Sequence, residues 1–291
     1  MAYDPQGPTA VKTANWRALI YLVIVFAFSW SVVTLAWLDG ARTIGDAPGA
    51  NHMFTWGPPI AALICAFLFH KHGRIDALGL RIRLNRWLPI AAMIAFAMAG
   101  YSLALGAVFP SLATSEIGNV QANAALLTQH NVADMPSGPM GALAIMVIAA
   151  IVFSLLFTLT EELGWRGYFY KQWRKLGFWQ FSVIQGIIWG VWHWPLVVYF
   201  GMVFAEDRLL GLVYYPLMTL VVSPVATLLR DRNGSIWAPG IWHGTNNAIG
   251  IVVMGDLFVR TEPNFLALLA NLPLLLLIEW FRRRFPDLPS S

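Results

Sequence analysis

From Met140 to Thr160 the chain runs without one ionisable residue, and seven further stretches are nearly as apolar. A segment crossing about 30 Å of hydrocarbon needs roughly 20 apolar residues. It must also satisfy its own backbone hydrogen bonds, which makes it a helix. The sequence predicts eight spans: Trp16–Leu38, Phe54–Phe69, Leu88–Phe109, Met140–Thr160, Phe178–Phe200, Leu209–Leu229, Ile236–Met254 and Phe265–Phe281. The second is short, and the fourth helix runs on past its apolar part toward Lys175, with Gly177 as its stop. The fold class is therefore all-α, a polytopic transmembrane helical bundle. Composition agrees: 58% of residues are hydrophobic and 12% charged, against about a quarter charged in soluble domains. A soluble domain is excluded. Fourteen Trp and eighteen Phe suit the two membrane interfaces.

The basic residues set the orientation. With both termini in the cytoplasm, sixteen of the nineteen Lys and Arg fall on the inside. Among them are Lys71, Arg74, Arg81, Arg83 and Arg86 in one loop and Arg282, Arg283 and Arg284 near the end. Only Arg42, Arg208 and Arg260 fall outside. Short cytoplasmic loops carry this excess in membrane proteins. The first span exceeds the length of a signal-peptide core and reads as a retained anchor. Pro110–Pro139 lies outside and is too polar to span, while Phe285–Ser291 is a loose tail. There is no repeat or dividing linker, so residues 1–291 read as one integral-membrane domain. A single cysteine, Cys65, gives no disulfide framework. The net charge of +4 is modest; the bilayer, not nucleic acid, is the expected partner. The location is a membrane, crossed several times, and the cell membrane if the source is bacterial.

Three polar clusters interrupt the apolar spans, where ionisable groups are costly. In the first, Glu161 and Glu162 follow the long apolar run, and Glu162 and Arg166 stand i and i+4, able to pair. Glu161 points about 100° away, free for another task. It lies about 21 Å from the cytoplasmic end of its helix. His193, within Trp192-His193-Trp194, lies at a similar depth, about 22 Å into its span. In the third cluster His243 and Asn247 share a face, but His243 is only about 12 Å deep. Tilt or a late helix start must close that gap. Taken singly, these are interfacial charges, a core histidine and interhelical polar contacts. Together they supply a carboxylate to take a proton from water, and imidazoles and an amide to hold water, a metal ion or an oxyanion. The same residue types also build proton paths.

At these residues the chain resembles the CPBP family of intramembrane proteases, also called the Abi or type II CAAX prenyl protease family. The family pattern is EExxxR, FxxxH and HxxxN on successive membrane helices. Glu161, Glu162 and Arg166 match the first, and His243 and Asn247 the third. In the second, Trp189 stands in place of the usual phenylalanine four residues before His193. Trp165-Arg166-Gly167 and the loop Leu78-Gly79-Leu80-Arg81 are also similar to the family. The motifs span residues 140–254.

The resemblance implies an intramembrane endopeptidase. Glu161 would be the general base; His193, His243 and Asn247 would hold the water or a metal and stabilise the oxyanion; Glu162 and Arg166 would support them. If a metal is bound, Glu161, His193 and His243 are its three protein ligands, and zinc is the cofactor the family name suggests. A water held without metal is the rival, because catalytic zinc takes three protein ligands: with Glu161 among them the base must be found elsewhere, Glu162 being a candidate, and with Glu161 as base the third ligand would be the poor one, Asn247. The substrate would be a peptide or protein entering from the membrane or the cytoplasm, with a C-terminal CAAX-like sequence as one class. The alternatives are a scaffold or bacteriocin-immunity protein of the same fold, and a proton-coupled transporter. Against the last, no inverted repeat is visible.

Overall fold

The computed structural model describes residues 8–109, 120–128, 131–253, 268–269 and 271–285. Among them all regular structure is helical. Residues 110–119 and 129–130 of the predicted outer segment Pro110–Pro139, together with Met254, Arg260, the start of the span Phe265–Phe281 and the tail beyond Phe285, lie outside the described residues.

Among the described residues six helices are long and apolar enough to cross a membrane: Trp16–Leu38, Pro48–Phe69, Trp87–Val108, Gly138–Leu176, Phe178–Phe200 and Arg208–Asn233. Eight spans were expected. The seventh is described only as the helix Trp237–Ala248 and the turn Ile249–Val253, and the eighth chiefly as Leu272–Arg284. Both run into residues outside the described set. The short second span is longer than read, because Pro48 starts a helical turn ahead of Phe54, where a proline's missing N–H costs nothing.

In chain order the helices are α1 (Pro8–Leu38), α2 (Pro48–Phe54), α3 (Gly57–Phe69), α4 (Arg74–Ala77), α5 (Trp87–Val108), α6 (Val120–Thr128), α7 (Gly138–Leu176), α8 (Phe178–Trp192), α9 (Trp194–Phe200), α10 (Arg208–Asn233), α11 (Trp237–Ala248) and α12 (Leu272–Arg284). Large apolar side chains stand open on their outer faces: Val23, Leu35, Phe67, Met93, Ile148 and Leu276 are each more than 60% exposed. Water would not tolerate that surface, but lipid does. Outside the spans, Asp76 pairs with Arg81, which holds the carboxyl below the usual carboxylate range. Asp46 is held low by backbone N–H groups of Arg42 and Thr43.

The 39-residue α7 would be about 58 Å long if regular, far beyond the hydrocarbon thickness. Its first half turns Leu143, Val147, Ile151 and Leu155 outward; its second half, from Glu161 to Phe169, is enclosed almost throughout. It holds wide π turns at Phe153–Thr158 and Leu163–Phe169, a distortion frequent at functional sites. Glycines set how closely its neighbours approach. A Cβ on Gly164 would come within 2.5 Å of Pro58, and one on Gly167 within 2.4 Å of the Leu78 carbonyl oxygen. α11 crosses the first π turn through Gly240 and Gly244: a Cβ on Gly244 would lie 2.4 Å from backbone atoms of Ser154. Thr158 Oγ1 donates to the Gly240 carbonyl at 2.9 Å.

Proline shapes the other two helices of the site. Pro216, inside α10, cannot donate to the Leu212 carbonyl; Trp194 Nε1 donates there instead, at 3.0 Å. Pro195 breaks the span Phe178–Phe200 into α8 and α9, with His193 at the joint. Leu196 N–H then reaches the His193 carbonyl, which leaves the Trp192 carbonyl to accept from Trp30 Nε1 at 3.1 Å. α8 and α10 meet at Gly186 and Gly190, where Thr219 Oγ1 donates to the Gly186 carbonyl at 2.8 Å.

Candidate active site

The polar cluster lies where α7, α8 and α11 converge. Burial decides against interfacial charge for the first motif: Glu161 is 6% exposed, and Glu162 and Arg166 are fully enclosed. Glu162 and Arg166 pair as their spacing predicts, Nη1 to Oε1 at 3.0 Å. The same Glu162 oxygen lies 3.0 Å from His243 Nδ1. A carboxylate ion-paired to arginine can only accept, so His243 Nδ1 carries the proton and donates. That contact also removes the apparent mismatch in depth. Ile236 N–H donates to the Gly79 carbonyl, and Trp237 Nε1 to that of Leu80. The loop 78–80 is thus tucked beneath α7, and α11 starts inside the protein, with Ile236 and Ala238 fully buried.

His193 Nδ1 lies 2.8 Å from the carbonyl oxygen of Trp189. A carbonyl only accepts, so this nitrogen too is the protonated one. In the neutral ring each histidine therefore keeps a lone pair on Nε2. Neither Nε2 has a hydrogen bond to a described residue, and neither is among the fully enclosed unpartnered atoms. Glu161 accepts one hydrogen bond, from Trp189 Nε1 to Oε2 at 3.2 Å, and its Oε1 is open in the same sense. The structure thus brings Glu161, His193 and His243 around one indole. The Trp189 ring lies 5.1 Å from that of His243 and 6.2 Å from that of His193, with the Arg166 guanidinium over it at 4.6 Å. Asn247 follows His243 by one turn, half-buried, with no side-chain hydrogen bond to a described residue. No hydrogen bond or ion pair among the described residues joins it to the other members.

Nδ1–H groups fixed by a carboxylate and a carbonyl, with Nε2 open, suit a metal or a water equally. Among the described residues, however, no three His, Cys, Asp or Glu side chains converge as a ligand set. Glu161, His193 and His243 have Trp189 as a shared neighbour.

Sequence reasoning passed over three features. The indole N–H of Trp189 reaches Glu161, although the residue was read only as a substituted aromatic. Tyr215 of α10 stacks on His193 at 4.4 Å. The pairs Gly186/Gly190 and Gly240/Gly244 carry the small-xxx-small spacing of close helix contacts, a signal that was available.

Fold and site together define a polytopic helical membrane protein with an enclosed carboxylate and imidazole cluster on three of its helices. Residues 142–249 match the family model of the type II CAAX prenyl endopeptidase Rce1-like proteins. Over that stretch the chain is similar to the CAAX-type membrane proteases that its motifs resemble, and the matched stretch contains all six motif residues. No match was found among curated proteins.

Proposed function

We propose that this protein is an intramembrane endopeptidase in which Glu161 activates a water held by protein groups. The carrying observation is the division of labour at Glu161: one carboxylate oxygen fixed by Trp189, the other open, beside two imidazoles with open Nε2 atoms. Glu161 takes a proton from water as the water oxygen bonds to the peptide carbonyl carbon. The Nε2 lone pair of His193 or of His243 accepts the water's other hydrogen and orients it. Since both imidazoles are acceptors on that side, the oxyanion's donor is the Asn247 amide. The carbon–nitrogen bond then breaks, and Glu161 returns its proton to the leaving amine. Glu162 and Arg166 hold His243 in its tautomer. The steps as written use no metal; stoichiometric zinc in active, purified protein would overturn this version. The substrate class is a membrane-associated peptide or one with a C-terminal CAAX-like sequence.

The test compares protein termini, by mass spectrometry, from cells making wild type or Glu161→Ala at matched membrane levels. New termini found only with wild type would support a protease and name its substrate. Identical profiles with an equally folded variant would favour a scaffold of the same fold.

A further inference from the structure

Trp189 touches Glu161, His193, His243 and Arg166, through its indole N–H, its backbone carbonyl and its ring. Its Nε1–H donates to Glu161 Oε2 at 3.2 Å. Its backbone carbonyl accepts from His193 Nδ1 at 2.8 Å. Its ring meets the His243 ring edge-on at 5.1 Å and lies under the Arg166 guanidinium at 4.6 Å. The residue is 5% exposed, and its backbone is pinned from behind. A Cβ on the adjoining Gly190 would lie 2.3 Å from Pro216 Cα, so α8 and α10 are in backbone contact at this turn. An indole on a helix seated this tightly has little freedom to swing.

A carboxylate that must take a proton from water needs one oxygen aimed at the water and a side chain that does not rotate. Glu161 has no other hydrogen bond from a described residue. We propose that Trp189 is the positioning residue for Glu161: its indole N–H clamps Oε2 and thereby presents Oε1 to the water. The indole of tryptophan carries a ring N–H and phenyl does not, so phenylalanine at this position keeps an aromatic ring without the clamp. The proposal rests on the endopeptidase reading for the part of its meaning that concerns catalysis. The hydrogen bond itself does not.

Two measurements separate the two. In protein labelled with nitrogen-15 at its indoles, the signal lost in Trp189→Phe belongs to Trp189. Glu161→Gln should move that signal and leave the other indoles in place; an unmoved signal overturns the clamp, whatever the protein cuts. The second measurement uses the peptide named by the comparison of termini. Trp189→Phe should lower kcat about tenfold or more with KM unchanged, the scale of loss when a group orienting a site residue is removed. Replacing the indole by its benzothiophene isostere, which keeps the shape and deletes only the N–H, should lower kcat as far. Wild-type kcat in the isostere would make the ring's bulk, not its N–H, the cause, and would overturn the proposal. A moved indole signal in a wild-type protein that cuts nothing would mean that the endopeptidase reading has failed, and the positioning role with it, while the hydrogen bond stands.

Discussion

Glu161 and Glu162 are neighbours in sequence with opposite structural burdens. Glu162 carries Arg166 and His243 on one oxygen, fully enclosed. Glu162→Gln leaves a buried guanidinium without its counter-charge, and such breaks cost about 3–5 kcal/mol. Glu161→Gln loses or weakens one hydrogen bond and should cost about 1 kcal/mol. Reversible unfolding in mixed detergent micelles measures both; equal losses would contradict this geometry. Replacing both partners of the pair, Glu162→Met with Arg166→Leu, should recover most of the single loss. Asn247 gives the converse test. With no side-chain hydrogen bond to a described residue, Asn247→Ala should alter stability by no more than about 0.5 kcal/mol. As the oxyanion donor its loss should lower kcat by about 100-fold or more. The i, i+4 pair was legible because helical geometry alone fixes it. The two histidine tautomers were not, because they depend on a carbonyl and a carboxylate that only the packed structure supplies. The clamp on Glu161 joins residues 28 apart in the chain, beyond any local pattern.

At the scale of elements, the spans were legible because lipid imposes length and apolarity on each one separately. What the period of the sequence could not show is where helices stop being regular. The π turns of α7 and the break at His193 arise from close packing against other helices, and they set the depth and direction of the site. Gly244 is one of the places where this packing is tight. Gly244→Ala pushes a methyl against the Ser154 backbone, which has no rotamer to yield, and should destabilise by about 1–3 kcal/mol. It should also lower activity more than that stability loss explains, because α11 carries His243. Gly190→Ala, against Pro216 Cα, should behave likewise on α8. Gly100 of α5 is the control: a Cβ there meets nothing within 4 Å, and Gly100→Ala should be neutral or stabilise by up to about 1 kcal/mol. Thermal unfolding of the three variants in one detergent ranks them; a Gly100→Ala as damaged as Gly244→Ala would show that helix propensity, not close approach, governs.

For the whole molecule, the six spanning helices make a definite statement about sidedness. One span separates Asp39 from Lys71, two separate Lys71 from Lys175, and one separates Lys175 from Glu206. All four residues are exposed, and Cys65 is the chain's one cysteine and is buried. Single cysteines at these positions can therefore be read one at a time with a membrane-impermeant maleimide. The distribution of basic residues puts Lys71 and Lys175 in the cytoplasm and Asp39 and Glu206 outside. Cysteines at 39 and 206 should label in intact cells, and those at 71 and 175 only in inverted vesicles. The reverse pattern would turn the protein over and move the entry side of the site with it. A fifth cysteine, at the exposed Arg284, decides the count. If the chain crosses twice more after Asn233, it labels from the cytoplasmic side, together with Lys71. Labelling from outside would leave an odd number of crossings and rule out eight. The cluster Arg282, Arg283 and Arg284 would then stand on the face where cationic loops are disfavoured, so the same experiment tests whether charge or helix count rules this end of the molecule.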